Sequence, residues 1–204
     1  MSLCVEVASF QASDALLSDP SLVKGASDII SKAEGFKSAY SGFQTEDGKT
    51  VYIVLVWESY DLHEKARADP IYAELGAQMK DTLIGPGPYS LEFTVMKDFT
   101  ISLEAPNTEI TYYKIKEGKT KEELTSQFDN MNGIFGSQGF TGAHPPAAYG
   151  ELIEKPGTFL AISGWDRAED HAAVAGSEVA LPEIVKLLAL ADPISSAHVS
   201  LTKH

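Results

Sequence analysis

The chain has one cysteine, Cys4, in 204 residues. A single thiol excludes an intrachain disulfide and fits a reducing compartment. Arginine is almost as scarce, with only Arg67 and Arg167 present, so guanidinium clamps on phosphate or carboxylate are not expected. Basic residues are outnumbered, 16 Lys and Arg against 29 Asp and Glu, for a formal charge of −13. Such a surface repels polyanions, which argues against nucleic acid and anionic membranes as partners. No apolar run approaches the roughly 20 residues that span a bilayer. The opening MSLCVEVASF has no basic region ahead of a long apolar stretch, so no signal peptide is expected. A soluble, cytoplasmic protein is the expectation. The sequence also lacks a P-loop, a Rossmann glycine fingerprint, an H-E-x-x-H, paired C-x-x-C and any His/Cys cluster with zinc spacing. The GPGP run at 85–88 reads as a turn, because it lacks the lysine and helix start that phosphate binding needs. Nucleotide and structural-zinc functions are therefore not expected.

What the chain does have is a repeat. WESYDLHE at 57–64 returns as WDRAEDHA at 165–172, so Trp57 and Trp165 stand 108 positions apart, as do His63 and His171. Farther on, SLEFTVMKD at 90–98 lines up with SAHVSLTKH at 196–204, an offset of 106. A repeat of this length sets the architecture. The predicted boundaries are a first unit at 1–98, a linker at 99–108 and a second unit at 109–204.

The first unit opens with the strand CVEVASF (4–10). A helix follows with an apolar stripe of Leu22, Val23, Ala26, Ile29, Ile30 and Ala33, closed by Gly35 as a C-cap. AYSGFQ (39–44) and VYIVLVW (51–57) read as strands around the Asp-Gly hairpin EDGK. The next helix has Pro70 as a potential break and a stripe of Ile71, Leu75 and Met79. LEFTVMK (91–97) is the last strand. The second unit repeats the order with strands at 109–116, 148–154, 158–165 and 197–203, and helix stripes of Leu124, Phe128, Met131, Phe135 and of Ile184, Leu187, Leu188, Ala191. It carries about five extra residues before its second strand, in GAHPPA (142–147), which reads as a lid or a surface loop. Each unit is β-α-β-β-α-β, the ferredoxin-like arrangement. The expected class is α+β. A four-stranded sheet with helices on one face must bury its other face. Two fused copies can do so against each other, as an intrachain pseudo-dimer.

Unit order, unit length and a Trp that ends the third strand, followed by a helix start and a His, resemble the dimeric α/β-barrel superfamily in its antibiotic-biosynthesis-monooxygenase-like branch, here in tandem form. The resemblance covers nearly the whole chain, once per unit. It implies an intrachain dimeric α/β barrel and a ligand held between sheet and helices. For activity it implies cofactor-independent oxygenation of quinol-type substrates, a cyclisation, or haem degradation or binding, in a superfamily that also holds many members of unknown role. Relatives often carry a His after a His-Pro or Ser-Pro step in the second helix. Here that step reads DPIY, with Tyr72 in the place of the His, while the second unit has GSEVAL.

Several residues are candidates for the site. His63 and His171 lie about one turn into a helix, where the dipole disfavours imidazolium. A neutral imidazole there can serve as a base or simply bond a neighbouring carbonyl. Trp57 and Trp165 can stack on a flat ligand or belong to the core. Glu58 with Ser59, and Asp166 with Glu169, read as helix caps. Tyr40, Tyr60 and Tyr72 offer phenols to a first-unit pocket or pack with hydroxyls outward. Glu92 and His198 occupy matched places in the final strands, and each needs a partner if buried. The preferred expectation is that a small apolar or aromatic molecule binds without a cofactor, with His63 as base, Tyr72 as hydrogen-bond donor and Trp57, Tyr40, Tyr60, Trp165 and His171 around it. The first alternative is a non-catalytic ligand-binding or stress-responsive module. The second is haem or metal binding through His198 or His63. Pairing of pseudo-dimers into a further homodimer stays open.

Overall fold

The computed structural model describes residues 2–84 and 90–204; the expected GPGP turn lies outside them. Two compact units form, one running through Val95 and taking in Thr202–His204, the other spanning Met96–Leu201.

In the first unit, strand β1 (Leu3–Gln11) is followed by helices α1 (Asp14–Ser18) and α2 (Leu22–Ile30), then β2 (Phe36–Phe43), β3 (Thr50–Trp57), α3 (Tyr60–Arg67), α4 (Pro70–Met79) and β4 (Ser90–Met96). In the second, a short helix α5 (Thr100–Leu103) precedes β5 (Asn107–Ile115), α6 (Lys121–Gln138), β6 (Ala143–Glu151), β7 (Thr158–Trp165), α7 (Ala168–Ala175), α8 (Ala180–Leu190) and β8 (Ala191–Val199). A further strand, β9 (Thr202–Lys203), follows. The sheet orders are β4-β1-β3-β2-β9 and β6-β7-β5-β8. The four strands of each repeat therefore share one ferredoxin-like order, with the first and third at the centre.

Local chemistry explains the boundaries. Ser59 accepts the Leu62 N–H at 3.3 Å and starts α3. Asp69 accepts from Ile71 and Pro70 takes the first helical position of α4, where its missing N–H costs nothing. Pro70 thus separates two helices. Thr120 and Glu123 close a reciprocal capping box on α6. The core-facing side of α4 is Tyr72, Leu75 and Met79, one position round from the expected stripe at its start.

Four expectations need correction. Helix α2 ends at Ile30, before Gly35, whose φ of +84° and close packing on Leu62 instead turn the chain into β2. Asp166 caps nothing: Arg167 is the N-cap of α7 without a side-chain bond, and the Asp166 carboxylate holds His144 Nε2 at 2.8 Å. Glu58 is paired with Lys37 rather than capping. GAHPPA is not a free loop. It forms the start of edge strand β6, with a bulge between His144 and Ala148 and a cis Pro145–Pro146 bond, and an edge is where a sheet tolerates proline.

The expected final strand at 197–203 is also divided. Residues through Val199 pair with β5, whereas Thr202 and Lys203 pair with Ser41 and Tyr40 of β2. Both faces of the central strands are buried. Phe10, Leu55 and Trp57 lie on one face of the first sheet and Val5, Val7, Val54 and Val56 on the other. Within the second unit, Gly164 leaves room for α5: a Cβ there would lie 2.8 Å from Ala105 and 3.0 Å from Ser102. Among the described residues no helix is long and apolar enough to cross a membrane.

Candidate functional site

Each unit holds a cavity between its sheet and its helices. The two differ at the polar end.

In the first unit a cavity of about 490 Å³ is walled by Phe10, Ile30, Ile53, Leu75 and Met79, with Tyr40, Tyr72 and Glu6 among its lining. Glu6 comes from β1, on the face that also carries Cys4 and Phe10. It is 6% exposed, and burial raises its carboxyl to about 7 against the pull of the Trp57 hydrogen bond. Trp57 Nε1 donates to Glu6 Oε2 at 2.8 Å, and His63 Nε2 stands 3.8 Å from the same oxygen. The Tyr72 hydroxyl is buried and makes no hydrogen bond among the described residues, and desolvation pushes its ionisation well upward.

His63 does not line this cavity. It is 1% exposed and enclosed by aromatic rings, with centroids 4.4 Å away at Phe93, 5.4 Å at Trp57, 5.8 Å at Tyr72 and 5.9 Å at Tyr60. Trp57 and Tyr60 likewise pack on His63 and Phe93 rather than facing the cavity. Of the residues expected in the first-unit site, only Tyr40 and Tyr72 reach the space.

In the second unit a cavity of about 320 Å³ is lined by Phe128, Tyr149, Trp165, His171 and Glu109, among others. Here both expected residues, Trp165 and His171, do reach it. Three positions account for the contrast. At the 108-residue offset, Tyr60 and Tyr72 are replaced by Ala168 and Ala180. Besides Trp165, whose ring centre lies 4.8 Å from that of His171, the ring that meets His171 is His198, with centroids 5.2 Å apart, where His63 meets Phe93. The two tyrosines and the phenylalanine that cover the first histidine have no aromatic carbocycle in their places here, and the imidazole opens to the cavity.

Those ring contacts also correct the sequence register. Phe93, not Glu92, takes the position of His198. A slip of one residue on a strand moves a side chain to the opposite face.

Glu109 is the polar centre of the second cavity. Thr111 Oγ1 and Ser196 Oγ donate to its Oε1 at 2.9 and 3.2 Å, and Ser163 Oγ donates to Oε2 at 2.8 Å. Trp165 Nε1 donates to that Ser163 hydroxyl at 2.9 Å. His171 Nε2 lies 3.6 Å from Oε2, and His171 Nδ1 meets His198 Nε2 at 3.0 Å. Burial works to raise the Glu109 carboxyl, but the adjoining His171, the Ser163 and Thr111 hydroxyls and His198 together hold it below the usual range. Desolvation lowers His171, with Glu109 opposing and His198 reinforcing. A buried carboxylate therefore faces an imidazole whose charged form burial disfavours, at the end of an apolar chamber.

Glu6 and Glu109 were absent from the sequence-level candidates, as were Ser163, Thr111 and Ser196. The signal was available. The two glutamates stand 103 positions apart, five fewer than the two tryptophans, which matches the extra residues placed before β6. In the sheets, Cys4 pairs with Trp57 and Asn107 with Trp165, which puts Glu6 and Glu109 in equivalent places two residues on.

No protein-family model and no curated protein matches this sequence. Solved structures do. A protein of Fusobacterium nucleatum, provisionally assigned as a monooxygenase, superposes with a TM-score of 0.71 at 12% identity, over 99% of this chain and 94% of its own. An anthrone oxidase-like protein gives 0.68 at 12% identity, over 100% and 92%. A protein provisionally assigned as a chlorite dismutase gives 0.64 at 10% identity, over 99% and 95%. The fold shared with these structures is the dimeric α/β-barrel fold. The matches run essentially end to end, so one chain carries both units of it.

Proposed function

We propose that the second-unit cavity binds a small, mainly apolar aromatic molecule that carries a hydroxyl group. The observation that supports this is the pairing of an aromatic-walled space with one polar end: Phe128, Tyr149 and Trp165 flank the chamber while Glu109 and His171 share its floor. A flat ring gains from stacking on such walls, and its hydroxyl would meet the carboxylate–imidazole pair. His171, not His63, is then the base, and Trp165 the wall. Drawing the phenolic proton toward that pair makes the ring electron-rich. The reaction class this serves is oxygenation of a phenol or quinol by O2, or a cyclisation of such a compound. The names of the structural neighbours, provisional monooxygenases and an anthrone oxidase-like protein, point the same way. In this reading the first unit keeps its cavity but has buried its histidine.

The test is a fluorescence titration with a panel of hydroxylated bicyclic and tricyclic aromatics, reading Trp165 quenching, followed by O2 uptake with any compound that binds. Saturable binding should be abolished by Ala161→Phe, which fills the second cavity. It should survive Ile53→Trp at the equivalent place in the first. Glu109→Gln should weaken it about 10-fold or more, the scale of a lost charged hydrogen bond. Binding lost with Ile53→Trp but kept with Ala161→Phe would move the site to the first unit. No saturable binding across the panel would overturn the reading.

A further inference from the structure

Glu109, His171 and His198 each present one ligand atom, and these atoms all lie within 4.8 Å of one another. We propose that they form a site for a divalent first-row transition ion, Zn²⁺ foremost, at the floor of the second-unit cavity. The proposal goes beyond the ligand reading above, because it concerns the protein with no aromatic compound bound.

The geometry favours an ion for three reasons. His171 Nδ1 and His198 Nε2 are 3.0 Å apart. Two nitrogens that share one tetrahedral zinc at 2.0–2.1 Å are separated by about 3.3–3.4 Å, so the pair already stands close to the spacing an ion needs, and the ion would sit beside the line that joins them after a small rotation of the rings. The donor set is two imidazoles and one carboxylate. That set suits zinc sites with an open position, and iron(II) sites as well. Finally, the carboxylate is already oriented. Thr111 and Ser196 hold Glu109 Oε1, and Ser163 holds Oε2 on the side of His171. Such hydroxyl partners around a ligating carboxylate are what fixes its direction toward a metal.

The site is also placed by the fold rather than by chance contact. Glu109 and His198 are directly paired across β5 and β8, and His171 comes over from α7. The His171 side chain is 28% exposed and Glu109 12%, so an ion can enter from the cavity. The first unit cannot copy it, since Phe93 occupies the place of His198. An ion bound here would occupy the atoms that a ligand hydroxyl needs, and the two would compete.

Titration of the purified, ligand-free protein with Co²⁺ tests this directly, because low-coordinate cobalt gives visible absorption when imidazoles enter its shell. Zn²⁺ displacement of that signal then measures zinc affinity. One ion per chain is expected. His198→Ala and His171→Ala should each weaken zinc by more than about 100-fold, and Ser196→Ala by about 10-fold. His144→Ala, which removes a surface imidazole held by Asp166, should change nothing. If a ligand variant folds poorly, thermal melting replaces it: zinc should raise the melting temperature of the wild type, and raise that of Ser196→Ala less at the same zinc concentration. Absence of a saturable cobalt spectrum, zinc affinity unchanged in His198→Ala, or an equal rise in the two melting temperatures would overturn the metal site. None of these results bears on binding of aromatic compounds.

Discussion

Glu6 shows how one residue ties burial to pH. Its polar neighbours among the described residues include Trp57 on β3, His63 on α3, Tyr72 on α4 and Cys4 two places back on its own strand. None supplies a fixed positive charge, and the carboxyl rises to about 7 because of its desolvation. The folded protein therefore keeps a proton that the unfolded chain releases near 4.5. The contribution of Glu6 to stability is complete below about 4.5, declines as pH climbs through that window, and is level above about 7. The slope is about 1.4 kcal/mol per pH unit. Glu6→Gln keeps an acceptor for Trp57 Nε1 but cannot ionise. Urea unfolding should find it close to wild type at pH 4.5 and more stable by about 3 kcal/mol at pH 7.5. An unchanged difference at the two pH values would show that Glu6 does not carry this proton.

At the scale of elements, caps and strand positions separate what the sequence made legible from what it did not. The alternation in β1 and β5, the Asp-Gly hairpin, the Pro70 interruption and the apolar stripe of α6 were all readable, since each is a local chemical preference. So was Ser59. The false cap at Asp166 had the right spacing, but its carboxylate is claimed by His144, a partner reached only once β6 and β7 pair. Ser59→Ala should cost about 1 kcal/mol, whereas Asp166→Ala should stay within about 0.5 kcal/mol, as measured by denaturant midpoints. Equal losses would mean that Asp166 supports α7 after all. The candidate site was half legible for a related reason. Trp and His announce themselves by rarity. The glutamates sit inside ordinary-looking strands, and their meaning depends on which face of the sheet they occupy. The one-residue slip that matched Glu92 to His198 shows how little alignment error it takes to lose that face.

Across the whole molecule, duplication has let the two copies divide. Tyr60, Tyr72 and Phe93 close the first histidine away, while Ala168, Ala180 and His198 leave the second open. The fold was legible here because it is written twice, and a pattern that recurs over 108 residues outweighs any single ambiguous segment. The destination of residues 202–204 was not legible, since so short a segment has no periodicity to read. Thr202–His204 extend the first sheet: the His204 N–H donates to the Ala39 carbonyl at 2.9 Å, His204 Nε2 meets Ser41 Oγ at 2.6 Å, and Lys203 Nζ lies 5.6 Å from the Tyr40 ring centre. Removing these three residues should lower stability by about 1–3 kcal/mol and speed amide exchange in β2, with β5 and β7 unaffected. Unchanged exchange in β2 would show that the strand adds nothing.

That returning strand also sets a timetable. A ribosome releases the first unit's strands long before it polymerises Thr202 and Lys203, and until then the outer edge of β2 has no neighbour. Open edges recruit other chains. The nascent protein thus passes through a stage in which this edge is bare at Tyr40 and Ser41, and the closing stitch is translated only after β1 through β8. Stalling or clipping just short of position 202 would leave a polypeptide that holds those eight strands yet is prone to join its neighbours edge to edge.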